Sequence, residues 1–387
     1  VKKIIRITTV PSSLKILLKG QLKYLSQYFE VIGISSKGED LKNVEDDEGV
    51  KTCSVEMARK ISPFKDLIAV IRLYFIFKKE KPLIVHSITP KAGLLTMLAG
   101  KMAGIPIRMH TFTGLIFPTR TGFMQKLLIK MDQLLCWSAT NIYPEGKGVQ
   151  NDLIKFKITG KPLKVIANGN VNGIDLDHYV EDKINIVFRN NLKKELNIIE
   201  NNFVFIFVGR LVGDKGINEL IRAYSAIRTI NTKLLLVGSY EEDLDPLDKE
   251  TLKMIDAYDD IISVGFQKDV RPYFLISNAL VFPSYREGFP NVVMQAGAMG
   301  LPSVVSNING CNEIIIPNEN GLIVPSKNIE QLKEAMQLMM NDKEKYSRMK
   351  SNARKMIRDR YDQEVVWVAL LHEYKTLLKE KNINADV

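Results

Sequence analysis

Short β-branched runs alternate with longer stretches of helical periodicity from one end of the chain to the other, the arrangement of βα units that build parallel sheets. In the first half, Lys3 to Thr8, Val31 to Ser35, Leu83 to His86, Ile107 to His110, Asn141 to Tyr143 and Lys164 to Ala167 read as strands. Between them, Ser13 to Tyr28, Phe64 to Lys78, Ala92 to Ala103, Phe123 to Trp137 and Gly146 to Phe156 repeat apolar residues at helical spacing. Asn168 to Asn172 opens a run of turn formers that separates this series from a second. There the strands are Phe203 to Val208, Lys233 to Val237, Ile261 to Val264, Ala279 to Phe282, Ser303 to Val305 and Leu322 to Val324. Helices start near Gly216, Pro246, Val270, Asn291 and Ile329, and Glu344 to Lys379 is nearly all helical. The pattern predicts one doubly wound α/β architecture twice, without a sequence repeat. Ligands of such sheets sit beyond the carboxyl ends of the strands, so a cleft between two facing sheets is the expected active site.

Length agrees with this, since 387 residues suffice for two domains with their own cores. At 45% hydrophobic and 25% charged, the composition excludes a disordered or collagenous chain. Cys53, Cys136 and Cys311 are far apart and form no CxxC pair. Neither a disulfide framework nor a zinc knuckle is expected, and a reducing cytoplasm suits the three thiols. Val1 to Thr8 is too short an apolar run for a signal peptide and reads as the first strand. The longest apolar stretch, Leu67 to Phe77, contains Arg72 and falls short of the roughly 18 residues a membrane-spanning helix needs.

Charge changes the picture more. The net charge is +10, and residues 1–180 hold 27 Lys+Arg against 15 Asp+Glu while the remainder is nearly balanced. From Lys81 to Met131 there is no carboxylate, yet Lys81, Lys91, Lys101, Arg108, Arg120, Lys126 and Lys130 fall inside, which points to an anionic partner for this half. On the helix from Phe64, Lys65, Arg72 and Lys79 share roughly one face, and Phe64, Leu67, Ile68, Ile71 and Phe75 line another. Lys126 and Lys130 lie one turn apart on the helix from Phe123. Basic amphipathic helices of this kind suit an anionic membrane surface, and equally a solvated face over a core stripe. No nucleic-acid-binding module is recognisable, and no nucleic acid partner is expected.

Candidate chemistry concentrates in the second half. After the strand that ends at Phe282, Glu287 lies in a loop, and Gly288 and Pro290 precede a helix opening near Asn291. The N–H groups of Asn291, Val292 and Val293 have no partner within such a helix and suit an anion such as a phosphate. After Val208 comes GRLVGDKG, in which Gly209 permits close backbone approach, Arg210 can bind phosphate oxygens bidentately and Lys215 adds a point charge. Two basic residues at strand ends suit a diphosphate. Neither the P-loop spacing nor a GxGxxG fingerprint is present.

With these segments in hand, the chain resembles the family 4 glycosyltransferases of the GT-B fold, which transfer sugars from nucleotide donors. The resemblance rests on GRLVGDKG at 209–216, EGFPNVVMQAGAMGLP at 287–302, NGCNE at 309–313 and KVIANGNVNGIDLDHY at 164–179. VHSITPKAG at 85–93 and HTFTG at 110–114 are similar to a bacterial capsule and glycan-assembly subgroup that extends a lipid-diphosphate-linked saccharide. The resemblance implies two Rossmann-like doubly wound domains facing across a cleft: an acceptor domain at 1–181, a donor domain at 182–362, and a terminal helix at 363–387 that crosses back to the first. It implies that Arg210 and Lys215 bind the donor diphosphate and that Glu287 holds hydroxyls of the donor sugar. The amides of Phe289 to Val293 would hold sugar and phosphate oxygens, so that Gly209, Phe266, Phe289, Pro290, Asn291, Val292 and Gln295 complete the donor site. His110 would face the donor sugar from the first domain, although by itself a strand histidine reads as a satisfied core residue. A UDP-sugar is the expected co-substrate, with no other cofactor, and the acceptor is a glycan or polyprenyl-diphosphate-linked saccharide at the inner face of the cytoplasmic membrane.

Two departures stand out. Gln295 occupies the place of the family's second glutamate, so a ribose contact there loses its charge-assisted part. Val10 to Ser13 replaces the usual glycine pair, which leaves a serine-capped helix at Ser12 and Ser13 as the first domain's phosphate loop. The family retains anomeric configuration without a protein nucleophile, so preorganised positive charge is the expected source of catalysis. Asp175-Leu-Asp177 and Asp243-Leu-Asp245 match the short DxD metal pattern, which is common by chance, and no essential metal is expected. A nucleotide-sugar 2-epimerase of related fold and a catalytically weakened sugar-nucleotide binder are the alternatives.

Overall fold

The computed structural model describes residues 2–58, 61–241 and 245–383, so Val1, Asp243 and the end of the expected terminal helix at 384–387 lie outside the described residues. The first sheet is built from β1 (Lys3–Ile7), β2 (Glu30–Ser35), β3 (Lys51–Ser54), β4 (Ile84–Ser87), β5 (Ile107–Phe112) and β6 (Asn141–Pro144), in the order β3-β2-β1-β4-β5-β6. The second comprises β7 (Phe203–Val208), β8 (Thr232–Val237), β9 (Ile261–Ser263), β10 (Ala279–Phe282), β11 (Ser303–Ser306) and β12 (Gly321–Val324), in the order β12-β11-β10-β7-β8-β9. All pairings are parallel. Both sheets have the doubly wound order, with switch points between β1 and β4 and between β7 and β10. Their central strands are buried on both faces, which is why they read as unbroken apolar runs such as FVFIFV of β7.

The chain divides into one compact unit of Val1–Gly173 with Gln363–Val387 and another of Ile174–Asp362. The boundary lies at Gly173, ahead of the expected residue 181, for a local reason. The Ile174 N–H donates to the Tyr361 carbonyl at 2.7 Å, and Ile174 and Leu176 join the second unit's core. In the first unit, Leu370, Leu371, Tyr374, Leu377 and Leu378 of the helix Gln363–Glu380 pack with Leu14, Leu22, Phe29 and Ile107. Arg6 of β1, fully buried, donates to the Tyr374 hydroxyl at 2.6 Å and to His86 Nδ1 at 2.8 Å, and burial holds His86 well below the usual histidine range.

Three expectations need correction. Lys164 to Ala167 is not a strand: Leu163 makes one isolated bridge to Ile142, and Ala167 has φ +50°, outside extended backbone. The sixth strand of that sheet is β3, whose polar sequence KTCS carries no apolar signal because it is an edge strand pairing only with β2. Ser13 to Tyr28 forms two helices, Pro11–Leu17 and Gln21–Ser26, broken at Gly20, where the Glu48 carboxylate accepts from the N–H groups of Gly20 (2.6 Å) and Lys23 (3.0 Å). The first of these is not serine-capped. Its N-cap is Val10, Pro11 opens the first turn, and Ser12 and Ser13 lie inside it with no side-chain cap.

Of the two readings left open for the helix Pro63–Glu80, burial bears on one: the residues it buries are Ala69, Val70, Leu73 and Phe77. Burying side chains the size of Leu73 and Phe77 contributes about 1.5–3 kcal/mol each, so this stripe holds the helix on the domain. The other apolar stripe is exposed, with Phe64 at 75%, Leu67 at 57% and Phe75 at 65%, together with Ile68 and Ile71. Lys65, Arg72 and Lys79 are exposed as well, as are Lys126 and Lys130 on the helix Gly122–Ser138, where Phe123 is 79% exposed. Two cations of the basic run are engaged: Lys91 pairs with Asp66 at 2.5 Å, and Arg108 Nε donates to the Ser138 carbonyl at 2.8 Å. Among the described residues no helix is long and apolar enough to cross a membrane.

Candidate active site

The second unit's site grows from the switch point of its sheet. β7 ends at Val208 and leads into Gly209, Arg210 and the 3₁₀ turn Gly213–Lys215; β10 ends at Phe282 and leads into Ser284, Tyr285, Arg286 and Glu287. Neighbouring strands lie about 4.8 Å apart, so loops leaving their carboxyl ends converge. The Tyr285 N–H donates to the Asp214 carbonyl at 2.9 Å, which joins the two loops directly.

Gly216 permits this approach. It has φ +73°, and a Cβ there would stand 2.2 Å from the Pro283 carbonyl oxygen. Gly216→Ala is therefore expected to lose about 1–3 kcal/mol of stability, read as a lower denaturation midpoint at unchanged m-value.

The convergence brings together residues 72 positions apart. Lys215 Nζ forms an ion pair with Glu287 Oε1, both side chains mostly buried, and the same oxygen accepts from Ser284 Oγ at 2.9 Å. Lys215 also stands 5.8 Å from the centre of the Phe282 ring. Arg210 is turned to another carboxylate, donating to Glu241 at 2.6 Å from a half-exposed position. An ammonium with three N–H donors can hold Glu287 and a phosphate oxygen at once, so the pair does not block an anion. Glu287, an acceptor at this strand end, suits hydroxyl groups.

Beyond Glu287 the chain runs through Phe289 and Pro290, both buried, into the helix Asn291–Ala298, which has no side-chain cap. Phe289 packs edge-on against Tyr361 with centroids 5.4 Å apart. Of the amides expected to meet an anion, Pro290 has none to give, and the Val293 N–H donates to the Pro290 carbonyl at 3.2 Å. Asn291 and Val292, both half-buried, form the first turn beside it. Gln295 hydrogen-bonds the Tyr179 hydroxyl, which burial pushes up to about 12. Phe266, its ring 76% exposed, follows Gly265 on the loop after β9; the Gly265 carbonyl accepts from the Gly238 N–H at 2.9 Å, and a Cβ on Gly238 would stand 1.8 Å from the Gly209 carbonyl oxygen.

Several supports were invisible in sequence. Asp245 Oδ2 accepts from the Asp214 N–H at 2.5 Å and its carbonyl from the Gly213 N–H at 3.2 Å, so this aspartate shapes the phosphate-side loop. Asp175 Oδ1 similarly accepts from the His178 N–H at 2.9 Å in its own turn. Arg354 donates to the carbonyls of Leu176 (3.0 Å), Tyr179 and Ala298, clamping the segment that carries Tyr179 onto the end of the Gln295 helix. The one available signal was Ser284, three residues before Glu287.

His110 lies on β5 of the first unit, opposite Ser87 of β4, and its Nδ1 is 2.9 Å from Ser87 Oγ. The ring is buried edge-on to Phe112, and Gly93 leaves room for it, since a Cβ there would come within 2.4 Å of Cε1. Burial pushes its pKa down to about 3, so at neutral pH the imidazole is uncharged and serves as a hydrogen-bonding group.

Residues 6–145 match the family described as Glycosyl transferase 4-like, and residues 188–356 that described as Glycosyl transferases group 1. The chain is 30% identical over 384 residues to the capsular polysaccharide biosynthesis glycosyltransferase CapM of Staphylococcus aureus, covering 98% of each. It is 29% identical over 295 residues, 74% of each chain, to the UDP-Gal:alpha-D-GlcNAc-diphosphoundecaprenol alpha-1,3-galactosyltransferase of Escherichia coli. The crystal structure of Anabaena Alr3699/HepE in complex with UDP matches 97% of this chain and 100% of its own with a TM-score of 0.81, at 17% identity, a likeness of fold.

Proposed function

The chain belongs to the glycosyltransferases, with group 1 and 4-like domains, and from that premise we propose that it is a retaining enzyme that moves a sugar from a UDP-sugar to a lipid-diphosphate-linked saccharide during capsule or cell-surface polysaccharide synthesis. The observation that carries the reading is the Lys215–Glu287 pair at the β7/β10 switch point, with Arg210 at the same strand end. The donor diphosphate lies against Lys215 and Arg210, and Glu287 accepts from sugar hydroxyls. As the bond from the sugar carbon to the diphosphate breaks, negative charge grows on the departing phosphate, where fixed cations stabilise it most. The acceptor oxygen attacks the same face of the sugar, and its proton passes to the departing phosphate, so no protein nucleophile and no metal is required.

The acceptor class is supported by the Escherichia coli relative, whose own substrate is a diphosphoundecaprenol-linked sugar. Work at the inner face of the cytoplasmic membrane is supported by the exposed apolar stripe of Phe64, Leu67 and Phe75 beside exposed Lys65, Arg72, Lys79, Lys126 and Lys130. Each such cation near an anionic bilayer contributes about 1 kcal/mol, enough in combination to hold the protein there.

The test is turnover of UDP-sugars on a prenyl-diphosphate saccharide with EDTA present. Transfer with the donor's anomeric configuration is expected, and only when acceptor is added. Acceptor-free formation of an epimeric nucleotide sugar would favour a 2-epimerase, and donor binding without turnover a weakened binder. Anionic vesicles should retain the wild-type protein at low salt and release it as salt rises. Changing Lys65, Arg72, Lys79, Lys126 and Lys130 to Glu should reduce that retention at least tenfold.

A further inference from the structure

We propose that the second unit carries a groove that binds a phosphorylated sugar, between the helix Lys343–Tyr361 and the carboxyl end of the helix Asn291–Ala298. The two helices touch and then part. A Cβ on Gly297 would come within 2.6 Å of Ile357 Cγ1, whereas a Cβ on Gly300 would meet nothing within 4 Å. The space that opens there measures about 510 Å³, within the roughly 300–1,000 Å³ of ligand pockets. Val180, Ala298, Met299 and Gly300 form one wall of it. Ser347, Lys350, Ser351 and Arg354, spaced to share one face of the helix Lys343–Tyr361, form the other. The proposed donor site lies at the amino end of the helix Asn291–Ala298, and its eight residues set the two ends about 12 Å apart, so this groove is a second site.

Charge identifies the phosphate. The helix KEKYSRMKSNARKMIRDRY carries eight basic residues against two acidic ones, although its half of the chain is nearly balanced. Lys345 pairs with Asp342, Arg348 with Glu319 and Arg358 with Asp359. Lys350 and Arg354, one turn apart in the groove, have no carboxylate partner among the described residues. The bonds of Arg354 to the carbonyls of Leu176, Tyr179 and Ala298 use three of its five N–H donors and leave its charge uncompensated. Ser347 adds an O–H donor. Ser351 Oγ donates to the Arg348 carbonyl at 2.8 Å, which leaves its oxygen to accept from a sugar hydroxyl. Glu181, the carboxylate in the lining, is held by Arg189 at 2.9 Å; it too suits hydroxyls, and it would repel a second anionic group. No aromatic side chain lines the groove, so nothing there stacks on a nucleotide base. One phosphate on a hydroxylated body fits this set, and the volume exceeds what phosphate alone would fill.

Calorimetric titration with glucose 1-phosphate tests this. It should bind at least tenfold tighter than inorganic phosphate or glucose, and more weakly as salt rises. Losing one charge-assisted bond typically costs about tenfold or more in affinity. Lys350→Glu, which reverses a cation, and Ser351→Trp, which fills the groove, should therefore each weaken binding at least tenfold. Both positions are exposed on the helix surface, so circular dichroism should show the fold unchanged. Lys215→Ala, in the proposed donor site, should bind glucose 1-phosphate as the wild type does. Loss of binding in Lys215→Ala with none in the two groove variants would place the ligand in the donor site and overturn the inference. Inorganic phosphate binding as tightly as glucose 1-phosphate would leave an anion site without a sugar, which overturns it as well. So would phosphatidylglycerol vesicles that retain wild type but not Lys350→Glu while glucose 1-phosphate does not bind, since the groove would then take a lipid headgroup. Absence of any binding removes the groove and leaves the proposed function standing.

Discussion

Lys215→Ala is expected to lower transfer by about 100-fold or more, with the chain still folded. Removing one preorganised donor from a site of developing charge typically costs about 10²–10³ in rate. Lys215 is well placed for such an effect, because it is mostly buried at the strand end where the proposed diphosphate leaves. Its removal also leaves Glu287 without its cation, but Ser284 still donates to that carboxylate. The fold should therefore survive, as an unchanged circular dichroism spectrum and a modest fall in Tm would show. Arg210→Ala is expected to act in the same direction. Its partner Glu241 is near the surface, and an exposed ion pair contributes about 0–1 kcal/mol, so its loss should hardly touch stability. Near-normal turnover in both variants would refute the assignment of a diphosphate to this strand end.

Glu287→Gln is expected to separate binding from transfer. A neutral amide keeps the shape and can still accept from Ser284, but it no longer offers sugar hydroxyls a charged acceptor, and such bonds are roughly twice as strong as neutral ones. Transfer should fall at least about 100-fold. Free UDP should bind as tightly as to wild type or tighter, because Lys215 stays in place to meet the diphosphate while the substitution removes a like charge beside it. Calorimetric titration of UDP beside single-turnover kinetics decides the matter. A loss of UDP affinity that parallels the loss of transfer would mean that Glu287 holds the nucleotide and not the sugar.

Much of this site was legible as segments. β7 and β10 were readable because central parallel strands are apolar along their whole length, and Arg210, Lys215 and Glu287 stand out as charges placed just beyond such runs. Their partners were not legible. Lys215 and Glu287 meet only because β7 and β10 are neighbours in a sheet whose order is not written along the chain, and because Gly216 lets one loop lie on the carbonyl of the other. Asp245, read as half of a chance metal pattern, proves to hold the backbone of Gly213 and Asp214. Gln295, read as a weakened ribose contact, is engaged by Tyr179 from more than 100 residues away.

By itself, then, the sequence determined the two series of βα units, the basic character of the first half and the residues that bear the candidate chemistry. These are encoded in local periodicity and composition, which need no knowledge of distant neighbours. Only the tertiary structure decided which of two apolar stripes on the helix Pro63–Glu80 is core, since both have helical spacing and burial depends on what packs against them. It likewise decided that the polar segment Lys51–Ser54 is a strand while Lys164 to Ala167 is not. An edge strand is held by backbone hydrogen bonds to its neighbour, and those carry no side-chain signature.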